Sequence, residues 1–256
     1  MNVKTFLAML RRDAHVARRN FIALLLQTLL QPMMFVFIFG RVMTGSGFMP
    51  PQYKSLLLPG IIAISMLMSG MWAVAMPLIG EFQFTKEIED RLLAPMHIEW
   101  LAVEKVVAGM IQALAAGFVV LPAAWLTLGR GVEINMHHPV QFVLLSLLVA
   151  FLASAVGLVL GCSIGQTHIG LMFTLVVAPM IFFGCTYYPW SALKVFPVLQ
   201  KAVLINPVVY ASEGFRSVLA SQFPHLSKFV IVAGLATFDL AFFLFGLRQF
   251  RRKAVS

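Results

Sequence analysis

Charge is scarce in this sequence: 19 Lys and Arg and 10 Asp and Glu make up 11% of 256 residues, against 60% hydrophobic. Chains that fold in water carry about 25% charged residues, so a soluble globule of ordinary makeup is excluded. Cysteine is nearly absent too. Cys162 and Cys185 form no disulfide framework. About 20 helical residues cross the hydrocarbon layer, so these two are expected toward opposite ends of one hairpin. No G-x-x-x-x-G-K-[ST] occurs, hence no phosphate-cradling loop of that kind, and any work the chain performs draws on a partner's energy. Neither H-E-x-x-H nor C-x-x-C accompanies the adjacent His137 and His138, which would face different ways on a helix, so no metal site is read there. The basic N-terminus MNVKTFLAMLRRDAHVARRN lacks a contiguous apolar core and a small-residue cleavage site, and is expected to stay in the protein.

What is there is a series of uncharged runs, and they describe an all-α polytopic membrane protein. Residues 3–20 set Phe6, Leu7, Leu10, Ala14 and Ala17 against Lys4, Arg11, Arg12, Arg18 and Arg19, the pattern of an interfacial helix on an anionic surface. Spans are expected at Phe21–Phe39, Leu56–Gly80, Val106–Gly129 and Phe229–Leu247. The third lies between Trp100 and Trp125, which suit the two headgroup belts. From Ile134 to Leu193 no Lys, Arg, Asp or Glu occurs. At 1.5 Å per residue that is about twice a bilayer, so two spans are expected, broken at Gly161–Gly170. Residues 187–227 are too polar and proline-broken to span and are expected at the outer interface. The count is six transmembrane helices in one domain covering residues 1–256.

Between Leu56–Gly80 and Val106–Gly129 sits a polar island, Glu81–Lys105, read as a water-exposed loop. Inside it Thr85 can cap a short helix that Pro95 stops. Lys86–Asp90 and Glu87–Arg91 are i,i+4 pairs, and Ile88 and Leu92 share a face. Placing the N-tail, this loop and the C-tail on one side gathers twelve Lys and Arg there, against Arg41, Lys54, Arg130, Lys194, Lys201, Arg216 and Lys228 opposite. The positive-inside rule then puts both termini and the loop in the cytoplasm. The net charge of +9 thus belongs to cations bordering apolar spans, not to a nucleic-acid face.

Catalytic chemistry finds little support. GCSIG, residues 161–165, with His168 nearby, fits the G-x-S-x-G pattern, but no strand-to-helix turn or neighbouring carboxylate accompanies it. Ala153, Gly157, Gly161 and Gly165 repeat every four residues and read better as a helix-packing stripe. Asp239 is the carboxylate inside a clear span, and a pairing with the Gln27/Gln31 face at similar depth is expected. Met66, Met68, Met71 and Met76 crowd the second span, either as an adaptable wall or as lipid-facing packing.

Four landmarks, in order, resemble the membrane subunits of type-two ABC exporters: YKSLLLPGI (53–61), FTKEIEDRLLAPM (84–96), GCTYYPWSAL (184–193) and INPVVYASEGFR (205–216). Many relatives carry Gly-Thr where this chain has Ile88 and Glu89. The resemblance implies an ATP-driven exporter subunit of a bacterial or archaeal cell membrane, built from two copies and two ATP-binding cassette ATPase subunits. ATP and Mg would be held by the ATPase, and this chain would bind no cofactor. The ATPase would dock on a cytoplasmic coupling segment within 81–105, at Lys86, Glu87, Ile88, Glu89, Asp90, Arg91, Leu92 and Leu93. An outer re-entrant hairpin would carry Asn206, Pro207, Tyr210, Glu213 and Arg216, with Glu213 and Arg216 paired at i,i+3. The implied substrates are amphipathic: drugs, lipids or lipid-linked glycans. A membrane-embedded enzyme of lipid or peptide chemistry, and a scaffold without transport, are the alternatives.

Overall fold

A computed structural model of the chain describes residues 3–19, 30, 32–83, 98–129 and 138–255, and these are helical almost throughout. The main helices are α1 (Val3–Arg19), α2 (Pro32–Gly45), α3 (Tyr53–Gln83), α4 (Ile98–Leu128), α5 (Pro139–Ser163), α6 (Ile169–Phe182), α7 (Pro197–Ala202), α8 (Pro207–Leu219) and α9 (Lys228–Val255).

Helix α3 is the axis. Every residue from Ser55 to Met71 is buried, which suits a helix that is apolar on all faces. Helices α4, α5 and α8 surround it. Small residues set the approach: a Cβ at Gly157 would lie 2.6 Å from Met71 O, and one at Gly109 would lie 3.2 Å from Gly70 O. The stripe Ala153, Gly157, Gly161 therefore faces α3, a membrane-type contact in which backbones come close. Gly165 falls beyond the end of α5 at Ser163 and takes no part. The GCSIG string is thus a helix C-terminus with no strand before it. Helix α9 closes the bundle on α5, with Phe151 and Phe243 rings 5.4 Å apart.

Among the described residues, four helices are long and apolar enough to cross a membrane: Tyr53–Phe82, Ile98–Leu128, Pro139–Ser163 and Lys228–Ala254. The expected six-span count is not reached by these residues. Phe21–Phe39 falls largely on residues outside the described set. The uncharged stretch 134–193 holds one full-length helix and the shorter α6, which at 1.5 Å per residue is roughly 21 Å long against a hydrocarbon core of about 30 Å. The turn beyond α6 limits its length. Cys185 takes a positive φ of 52° there, and the chain passes over α3 so closely that a Cβ at Gly60 would lie 1.8 Å from Thr186 O. Only glycine admits that crossing.

The polar island is also shorter than expected. Helix α3 runs on through Glu81, and α4 starts at Ile98, so Glu81, Glu104 and Lys105 are buried helix residues rather than loop. The methionine wall changes meaning too: Met66, Met68 and Met71 are buried, and Met76 alone of the four is exposed. Met66 fills the space over Gly117, where an added Cβ would meet its sulfur at 2.9 Å. Cys162 packs beside Leu101 and Phe250, whereas Cys185 lies by Arg216, at the other end of the bundle.

Candidate functional site

Among the described residues, buried ion pairs gather in two clusters, one at each end of the bundle. At the first end, Lys105 Nζ lies 2.7 Å from Asp13 Oδ2 and 2.8 Å from Glu81 Oε1. One ammonium thereby joins α1, α3 and α4. Aromatic contacts support the junction: Phe6 meets Trp100 edge-on at 6.3 Å, and Phe82 meets Phe250 of α9 at 5.7 Å. Lys253 sits 4.8 Å above the Phe82 ring. The N-terminal helix and the end of α9 therefore share one face with the helix ends on either side of residues 84–97. Nothing in the charge pattern singled out Lys105. The available signal was Asp13, the lone acid on an otherwise basic helix.

At the opposite end, α8 is buried along its whole length. Asn206 caps it, accepting from Val208 N at 3.0 Å, and its Nδ2 donates to Met180 O at 2.8 Å. Pro207 occupies the first helical position, where a missing N–H costs nothing. Tyr210 donates its hydroxyl to Leu204 O at 2.9 Å. Glu213 and Arg216, both fully buried, form an ion pair one turn apart. Their other contacts reach three separate segments: Trp190 N donates to Glu213 Oε1 at 2.9 Å, Leu226 N donates to Glu213 Oε2 at 3.0 Å, and Arg216 donates to Cys185 O at 3.0 Å. Two charges so deep persist because each also satisfies backbone groups. The pair ties together the turns that no regular ladder holds.

Two of the cations counted on this side serve the end of α4. Gly129, at φ 70°, ends that helix, and Lys54 and Arg41 donate to its free carbonyls at Leu128 (3.3 Å) and Thr127 (3.4 Å). Positive charge suits a helix C-terminus.

Asp239 lies on the α9 face that also carries the buried Ile231, Leu235 and Phe250, and is only 5% exposed. Among the described residues no hydrogen-bond partner reaches either of its carboxylate oxygens. Gln27 and Gln31, its expected partners, lie outside the described residues. So do all eight expected docking residues, Lys86, Glu87, Ile88, Glu89, Asp90, Arg91, Leu92 and Leu93.

A buried axial helix, long apolar helices around it and buried ion pairs at the two ends are the features of a multi-pass membrane protein. The sequence matches the family described as ABC-2 type transporter over residues 4–220, most of its length, and the chain belongs to that family. It is the transmembrane subunit of an ABC transporter, whose family implies association with an ATP-binding cassette subunit. A search of curated proteins found no match.

Proposed function

We propose that this chain is one membrane half of an exporter, working as two copies with two ATPase subunits that hold the ATP and Mg. It moves an amphipathic substrate, a drug, lipid or lipid-linked glycan, out of the cytoplasm or inner leaflet of a bacterial or archaeal cell. Six spans place both termini in the cytoplasm, 187–227 forms an outer re-entrant hairpin, and Lys86–Leu93 docks on the ATPase.

The observation that supports this most is the Asp13–Lys105–Glu81 junction. It fastens the helix ends on both sides of residues 84–97 to one another and to α1. A push delivered to that segment would pass into α3, the axis of the bundle. This chain has no catalytic part in that scheme, and Ser163→Ala is expected to leave transport unchanged.

The test is the paired swap Glu87→Arg with Arg91→Glu. It keeps the internal i,i+4 pair and the net charge, while reversing the pattern shown to a partner. Pairs within a helix contribute only about 0.3–0.5 kcal/mol, whereas like charges across an interface are strongly unfavourable. The swapped protein is expected to insert normally and to lose substrate-stimulated ATP hydrolysis and export. Full rates would place the docking surface elsewhere, and failure of any ATP-binding subunit to copurify would favour the scaffold reading.

A further inference from the structure

Helix α9 turns one row of side chains inward, Ile231, Leu235, Asp239, Gly246 and Phe250, and all but one of them suit an apolar contact. Asp239 is the exception. The contacts before and after it are apolar: Phe238 meets the Tyr210 ring of α8 at 5.8 Å, and Phe243 meets Phe151 of α5 at 5.4 Å. One turn on, Gly246 lies so close to Leu158 that an added Cβ would stand 3.0 Å from it. Both carboxylate oxygens of Asp239 are buried in this contact, and no hydrogen bond reaches them from a described residue.

An ionised carboxylate there would need a cation, and the elements packed against α9 bring none to it. From Pro139 to Ser163, α5 carries no Asp, Glu, Lys, Arg or His; its titratable group is Cys162, down beside Phe250. Its Ser146 and Ser154 donate to Phe142 O and Ala150 O of their own helix. Helix α8 offers Glu213 and Arg216, which pair with each other, and Tyr210, whose hydroxyl donates to Leu204 O. The charged residues of α4, Glu99, Glu104 and Lys105, stand at its start, and α3 meets α9 at Phe82 and Phe250, beside a Glu81 that Lys105 holds. Along α9 itself Lys228 and Arg248 are eleven and nine residues from Asp239, about 16 and 14 Å along the axis. Gln31, the partner expected from the sequence, is an uncharged amide. An isolated carboxylate in apolar surroundings is so costly that such a group takes up a proton instead.

We propose that Asp239 is a proton-binding site: it is held as the neutral acid, and that proton is what lets α9 lie against α5 and α8. Ionisation would demand water or a cation at the contact and would loosen α9, so the seating of this helix depends on pH. This rests on the α9 span, and not on the direction of transport or on the pairing with Gln31. The chain contains three aspartates, Asp13, Asp90 and Asp239, so aspartate labelled with carbon-13 at the side-chain carboxyl allows infrared spectroscopy of the full chain in nanodiscs to see them apart from every glutamate. At pH 7 the labelled protein is expected to show the C=O band of a protonated acid, shifted by deuterium oxide and missing from D239N. Equilibrium unfolding is the second readout. An unfolded aspartate ionises near about pH 3.9, so the wild type should lose stability relative to D239N as pH rises. The ratio of their folding constants should fall about ten-fold per pH unit from about pH 5 until the acid band disappears, and then level off. Should D239N fail to fold, D13N and D90N assign the band, which must persist in both. Absence of a labelled acid band at pH 7, or its loss in D13N or D90N, overturns the proposal. A band that D239N removes, with a ratio that stays flat over the same range, would overturn the part of the proton in seating α9.

Discussion

Lys105 lies 2.7 Å from Asp13, a residue 92 positions earlier in the chain, and this pair attaches the basic N-terminal helix to the bundle. The same ammonium reaches Glu81 on α3. Replacing Lys105 with Met would leave the buried Glu81 without that cation, and is expected to cost about 3–5 kcal/mol. Asp13→Asn keeps a polar group at a partly open position and should cost about 1 kcal/mol. Thermal unfolding in detergent would rank the two. Equal losses would show that Glu81 does not depend on Lys105.

Glu213 and Arg216 should behave as a unit. Arg216→Met leaves a buried carboxylate with its backbone donors alone, and Glu213→Gln leaves a buried guanidinium. Either single change is expected to destabilise more than half as much as the double. A double-mutant cycle should give a coupling on the order of 2–3 kcal/mol; additive losses would mean that the backbone contacts, not the ion pair, hold α8.

Gly60 and Gly170 offer a contrast within one residue type. A Cβ at Gly60 would collide with the backbone at Thr186, whereas nothing lies within 4 Å of one at Gly170. Gly60→Ala should therefore cost about 3 kcal/mol or block folding, and Gly170→Ala should stay within about 0.5 kcal/mol of the parent. Detergent melting curves of the two variants decide it.

Asp239 is expected to couple to Gln31. No described residue bonds its carboxylate, and an unpaired polar group at mid-membrane costs on the order of 2–3 kcal/mol. Asp239→Asn and Gln31→Leu should then be non-additive in a stability cycle. Strict additivity would remove the pairing.

The Cys185 thiol should be inert. Burial, and secondarily the nearby Glu213, push it up to about 12, while Arg216 pulls it back only in part. At pH 8 it is therefore protonated, and maleimide labelling of folded protein should be absent until denaturant is added. Fast labelling at neutral pH would show that the Cys185 turn opens.

Much of the site was visible in the order of residues because it depends on local rules. The Asn206-Pro207 start of α8 follows from capping and from proline's fixed φ, and the one-turn spacing of Glu213 and Arg216 follows from the helix repeat. The partners of that pair were not visible. Trp190, Cys185 and Leu226 lie on separate turns, and no periodicity relates them.

Hydropathy by itself determined that this is a helical membrane protein, because sustained apolar runs have no other stable solution in lipid. It also determined where charge gathers. Tertiary structure decided which helix lies at the centre, since α3, α4 and α5 are similarly apolar and only close packing through Gly70, Gly109 and Gly157 makes α3 the axis. It decided too that Glu81 and Lys105 are core residues rather than loop ends. A charge in a polar stretch looks solvent-facing in sequence, and partners brought from other helices, Asp13 on α1 and Glu81 on α3 for Lys105, allow it to be buried.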